Sequence, residues 1–96
     1  MIITHWRYQF PACKRWIPTD KRTRSEQALK IVEEAAEAMN MRDGYDIAYA
    51  MELMDTIHAC ETALRELPES LLSSIKEAVV RKNAERGYYD DAECDQ

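Results

Sequence analysis

What most constrains this chain is how rarely it is interrupted. It has two glycines and three prolines in 96 residues, and after Pro18 the breakers are Gly44, Pro68 and Gly87 alone. Glycine frees the backbone and proline removes a donor, so both punctuate regular structure. The stretches between them are rich in Ala, Glu, Leu, Met, Lys and Arg, which all favour helices. Three helices are expected. Thr23-x-x-Glu26 reads as a capping box, which starts the first helix near Arg24 and carries it to about Asn40. Asp43-Gly44 is a turn signal, and the second helix spans roughly 45–66. Pro68 stops it, Glu69 or Ser70 opens the third, and Gly87 is expected as a left-handed cap after Arg86.

Helical spacing assigns each helix an apolar stripe. In the first it is Ala28, Ile31, Val32, Ala35 and Met39. In the second it is Ile47, Ala50, Met51, Met54, Ile57 and Leu64. In the third, Leu71, Leu72, Ile75, Ala78 and Val79 run on into Lys82, Asn83 and Arg86. Residues 1–22 mix Trp6, Tyr8, Phe10 and Trp16 with prolines and bases. The alternation from His5 to Phe10 suits a short strand, but no partner strand is apparent. An extended arm that packs its aromatics on the helices is the expectation, with a flexible acidic tail over 90–96. The expected fold class is all-α: a single domain over 1–96, with three main helices in an antiparallel bundle completed by oligomerisation, and an extended N-terminal arm.

Charge and cysteine usage narrow the partners. The net charge is −5, from 18 acidic and 13 basic residues, which gives no support to nucleic-acid binding. Cys13, Cys60 and Cys94 are an odd, widely spaced set, neither a disulfide framework nor a metal knuckle. Free thiols fit a reducing cytosol. The polar residues His5, Arg7 and Gln9 follow Met1-Ile2-Ile3 at once, so no leader is expected. No run approaches the ~20 apolar residues of a membrane span. A cytoplasmic protein without membrane contact is expected.

The chemistry lies in Glu33-Glu34-x-x-Glu37 and Glu52-x-x-Asp55. Carboxylates three residues apart share a helix face, where like charges repel. One such pair is usually a solvated face. Two pairs on consecutive helices make four carboxylates that could converge on a hard divalent cation. Glu33, Glu34 and Glu37 lie off the apolar stripe, so on the sequence alone they are expected to be exposed unless another helix covers them. Asp55 sits at the edge of its stripe, among small residues, which signals a cavity, with His58 nearby. Lys82, Asn83 and Arg86 suit phosphate oxygens.

This pattern resembles the signature of the MazG-like all-α nucleoside triphosphate pyrophosphohydrolases. The Lys82-Asn83-x-x-Arg86-Gly87-Tyr88 segment is similar to the basic end of the third helix in small, often phage-associated members. The resemblance covers about residues 25–89. It implies an Mg²⁺-dependent enzyme, with Mn²⁺ able to substitute, that cleaves a nucleoside triphosphate to the monophosphate and pyrophosphate. House-cleaning or nucleotide-pool control would be its purpose. It implies that Glu34, Glu37, Glu52 and Asp55 are metal ligands and catalytic residues, with Glu33 in support. Lys82, Asn83 and Arg86 would hold the substrate, within a homodimer or homotetramer. Trp6, Trp16, Tyr45 and Tyr49 are candidates to stack on a base. The alternative is a non-catalytic helical interaction module, whose acids are a solvated face and whose last-turn bases complement a helix dipole.

Overall fold

The structure is a computed structural model, and it describes residues 6–13 and 24–90. The capping residue Thr23, the arm residues His5 and Trp16, Cys94 and nearly all of the expected tail lie outside the described residues. Those described form an all-α chain of three helices: α1 (Arg24–Asn40), α2 (Asp46–Leu64) and α3 (Glu69–Glu85). The chain divides into two compact units. One is Tyr8–Glu66, holding α1 and α2. The other holds α3 within Leu67–Gln96, together with the described residues of Met1–Arg7. No helix among the described residues is long and apolar enough to cross a membrane.

In the first unit, α1 and α2 pack against each other as an antiparallel pair. Arg24, at the start of α1, pairs with Glu66 just beyond α2, with Nε–Oε2 3.2 Å. Gln27 Nε2 donates to the Ala59 carbonyl at 2.9 Å. The connection is tight: the Met41 N–H donates to the carbonyls of Glu37 and Ala38, and the Gly44 N–H to that of Met41.

The face on which the two helices meet is not the expected one. The buried residues of α1 are Gln27, Glu34 and Ala38, with Ile31 half-buried between them. Their 4-3-4 spacing forms one stripe, about 100° round the helix from the expected apolar stripe. Val32 and Met39, assigned to the core from the sequence, are about 60% exposed. On α2, Ile47, Met51, Met54 and Ile57 are exposed as well. The meeting face of α2 carries Glu52, Thr56 and Ala59, buried or half-buried. The physical reason is size. Ala38, Ala59 and Thr56 are small and let the two backbones approach closely, whereas the Met- and Ile-rich faces would hold them apart. Among the described residues of this unit, Ala38 and Ala59 are the buried apolar ones, so little apolar area stabilises this pair within one chain.

Residues 8–13, neither helix nor strand, lie along the C-terminal half of α2. The buried Glu61 carboxylate accepts the Gln9 N–H at 2.8 Å and the Phe10 N–H at 3.0 Å. Arg65 donates to the Phe10 carbonyl at 2.9 Å and lies 3.7 Å over the Tyr8 ring. Phe10 stacks on the His58 imidazole, centroids 5.0 Å apart.

In the second unit, the Trp6 N–H donates to Ser73 Oγ at 3.1 Å. The end of α3 follows its sequence signal. Gly87 has φ +81°. The Tyr88 N–H donates to Asn83 O and the Gly87 N–H to Ala84 O, both at 3.0 Å, which is the double bond of a Schellman end. A side chain at Gly87 would strain this conformation and meet the Asp90 carboxylate.

Candidate functional site

The acids predicted from the sequence lie where α1 and α2 meet. Because the meeting stripe of α1 runs through Glu34, that carboxylate is buried rather than exposed, contrary to the sequence expectation. The cover is α2 of the same chain. Glu37 is one turn further along α1, and Glu52 comes from the meeting face of α2. Glu34, Glu37 and Glu52 each bring a carboxylate oxygen within 4.8 Å of the others.

The charge is only partly balanced. Lys30 Nζ donates to Glu34 Oε1 at 2.8 Å from one turn earlier. That hydrogen bond, then the Glu34 charge, holds the Lys30 ammonium above its ordinary value. The Glu37 carboxyl is pushed above its ordinary value. The first cause is the neighbouring Glu52 carboxyl, which can share its proton; the charge of Glu34 comes next. Glu52 Oε2 is buried without a hydrogen-bond partner. An acceptor left this way costs free energy unless something donates to it or coordinates it. Three converging carboxylates, with one oxygen of Glu52 unpartnered, are an all-oxygen set that fits Mg²⁺ or Mn²⁺ chemically.

Asp55, the fourth predicted acid, is not one of the three. It follows Glu52 by three residues, which turns it about 60° round the helix, and its side chain is a methylene shorter. It is exposed and lines a cavity of about 600 Å³ beside Glu34. Glu33, also exposed, lines the same cavity. So do Gln27, Lys30, His58 and Cys13. Cys13 Sγ is 3.3 Å from His58 Nε2 and 3.6 Å from Thr62 Oγ1. The position of His58 beside the Asp55 flank agrees with the sequence reading.

The phosphate candidates belong to the other unit and stand on their own there. Lys82 lies in the last turn of α3 and is exposed, Asn83 is half-buried, and Arg86 caps the helix. Of the stacking candidates, Tyr45 is 89% exposed and, like Tyr49, is not part of the cavity wall. Trp6 belongs to the α3 unit, and Trp16 lies outside the described residues.

Three residues of the site region escaped sequence reasoning. Gln27 is 3% exposed, at the head of the meeting stripe, where its polar side chain hid it from an apolar pattern. The signal available was spacing alone: Gln27, Ile31, Glu34 and Ala38 share a helix face. Lys30 stands at i−4 from Glu34 and could have been named as its counter-ion. Glu61 gave no local signal, because its partners are more than 50 residues away in sequence.

A comparison with protein-family models, with curated proteins and with solved structures found no match to this chain.

Proposed function

We propose that the chain is an Mg²⁺-dependent nucleoside triphosphate pyrophosphohydrolase of MazG-like type, releasing a nucleoside monophosphate and pyrophosphate. What supports the reading is the convergence of Glu34, Glu37 and Glu52 from two helices, with one buried carboxylate oxygen left unpartnered. Like charges are gathered where neutral side chains would pack at less cost, and a divalent cation offsets that cost. Held by these three, with Asp55 contributing from the cavity side, Mg²⁺ would stabilise charge on phosphate oxygens and help to position a water. Mn²⁺, with the same ligand chemistry, is expected to substitute.

The chain's own groups do the rest. Lys30 fixes the Glu34 carboxylate through its 2.8 Å contact. One of the clustered carboxylates orients the attacking water. Glu33 adds negative potential at the cavity mouth. Lys82, Asn83 and Arg86 are assigned the phosphates by their chemistry and by the resemblance, with Arg86 suited to a two-point grip. Assembly as a homodimer or homotetramer belongs to the same reading, supported by the uncovered apolar faces of α1 and α2, where Ile47 is 76% exposed. Those faces also favour the second reading, a non-catalytic interaction module.

The deciding experiment is pyrophosphate release from a panel of nucleoside triphosphates, with and without Mg²⁺. Mg²⁺-dependent release that is lost in both Glu37→Gln and Glu52→Gln supports the enzyme. Absence of release from every nucleotide, by a chain whose helices are intact by circular dichroism, leaves the interaction module.

A further inference from the structure

A thiol and a base meet in the cavity wall, and the proposed metal chemistry uses neither. Cys13 Sγ is 3.3 Å from His58 Nε2 and 3.6 Å from Thr62 Oγ1. The sulfur and the imidazole come from distant stretches, residues 8–13 and α2, and both are held. Phe10 stacks on the imidazole with the two rings 19° from parallel, which fixes its plane. Glu61 holds the backbone of Gln9 and Phe10, which leads to Cys13. A nucleophile within hydrogen-bond reach of a base, with the base oriented by a further group, is the arrangement that activates thiols.

The protons can be followed. Thr62 Oγ1 donates its own proton to the His58 carbonyl at 3.0 Å, so toward sulfur it can only accept. The thiol thus has one proton and two acceptors in reach, Thr62 Oγ1 and an unprotonated Nε2. Nε2 is the nearer, and of the two it is the group able to take the proton outright. The reagent that can arrive is set by charge. Glu26, Glu33, Glu34 and Asp55 line the same cavity, together with Lys30. Such a wall repels anionic reagents, including anionic disulfides, and leaves a small neutral oxidant unopposed.

We propose that Cys13 is a modification site oxidised by hydrogen peroxide, with His58 as the base that takes its proton. His58 Nε2 accepts the thiol proton as sulfur attacks one peroxide oxygen. An S–O bond forms and the O–O bond breaks. Sulfur gives up two electrons and becomes a sulfenic acid, a reversible state. The departing hydroxide takes the proton back from Nε2 and leaves as water. The proposal is independent of the nucleotide reading, because neither the three clustered acids nor the phosphate candidates take part.

The test is the rate of sulfenic acid formation at Cys13 in the full chain, trapped with dimedone and read by peptide mass mapping, which separates it from Cys60 and Cys94. Peroxide is small beside a cavity of about 600 Å³, so its rate reports chemistry at sulfur. A bulky alkylating reagent reports opening of the segment instead. Cys13 should oxidise about tenfold or more faster in the folded protein than in the same chain unfolded in urea, a small part of what a positioned base can supply. Accessibility alone would give the opposite order, because Cys13 is half-buried when folded. Cys60 is the internal control. Burial pushes its thiol above the ordinary value, it is not part of the cavity wall, and it should oxidise more slowly folded than unfolded. His58→Phe keeps a ring to stack on Phe10 but removes both nitrogens, and should bring Cys13 to within about twofold of its unfolded rate. The folded-to-unfolded ratio needs no variant, so a His58→Phe protein that fails to fold does not protect the proposal. A Cys13 ratio of about two or below overturns it. So does an acceleration that Cys60 matches or that survives His58→Phe.

Discussion

Glu61→Gln is the substitution whose cost can be worked out most directly, because the wild-type carboxylate has two defined partners. It is buried and accepts two backbone N–H groups, from Gln9 at 2.8 Å and Phe10 at 3.0 Å. A hydrogen bond to a charged group contributes roughly 1.5–3 kcal/mol. Glutamine has the same shape but keeps one acceptor, now neutral, and presents an NH₂ group to the other N–H. One bond is weakened and one becomes donor against donor. The expected loss is about 2–3 kcal/mol, a large share of the 5–15 kcal/mol typical of a domain. At about 4–8 °C per kcal/mol for a chain of this size, Tm should fall by roughly 10–20 °C. The effect should also be local. Residues 9 and 10 lead to Cys13 in the cavity wall, so amide exchange at Gln9 and Phe10 should accelerate and Cys13 should alkylate faster. Glu66→Gln is the control. It breaks an exposed pair with Arg24 and should cost no more than ~1 kcal/mol. The reasoning is refuted if Glu61→Gln melts within 3 °C of wild type, or if it loses stability while exchange at Gln9 and Phe10 is unchanged.

Other perturbations separate the functional readings. The folded protein holds the Glu37 proton more tightly than the unfolded chain, whose ordinary value is 4.5, so this group favours folding at low pH. That contribution disappears as pH rises through the raised folded value. Glu37→Gln should therefore flatten the fall of stability as pH rises above the ordinary value of 4.5 and raise the neutral-pH denaturation midpoint, read by urea titration. An unchanged slope would count against the clustering. Mg²⁺ at about a hundred times its dissociation constant should stabilise wild type by roughly 2.7 kcal/mol and Glu52→Gln by less; melting curves that ignore Mg²⁺ would remove the metal assignment. Lys82→Ala and Arg86→Ala should each lower kcat/KM for triphosphates by the equivalent of about 1.5–3 kcal/mol if they grip phosphate. A stability change below ~1 kcal/mol with unaltered kinetics would instead make them helix-end bases. Wild type should scatter light as a dimer or tetramer at micromolar concentration, and Val32→Glu or Met51→Glu should shift it toward monomer; a wild-type monomer with full activity would refute the need for a partner copy.

The sequence by itself determined the three helices and nearly all of their ends. The reason is local: Gly44, Pro68 and Gly87 act on their own backbone, and the Schellman end at Gly87 needs only residues 83–88. It also supplied the acids, because Glu34, Glu37 and Glu52 carry their chemistry wherever they are placed. Tertiary structure alone decided which face of each helix meets the other. An apolar stripe states that a surface prefers to leave water; it does not say what covers it. In this chain α1 meets α2 through Gln27, Ile31, Glu34 and Ala38, and leaves Val32 and Met39 outside. That rotation of about 100° buries Glu34, leaves one oxygen of Glu52 and one of Gln27 without partners, and sets Asp55 apart from the other acids. None of these follows from spacing along one helix, because each depends on which small side chains let two helices come close. The Glu61 clamp is of the same kind: its carboxylate and the two N–H groups it holds are separated by more than 50 residues, and only the folded chain brings them together.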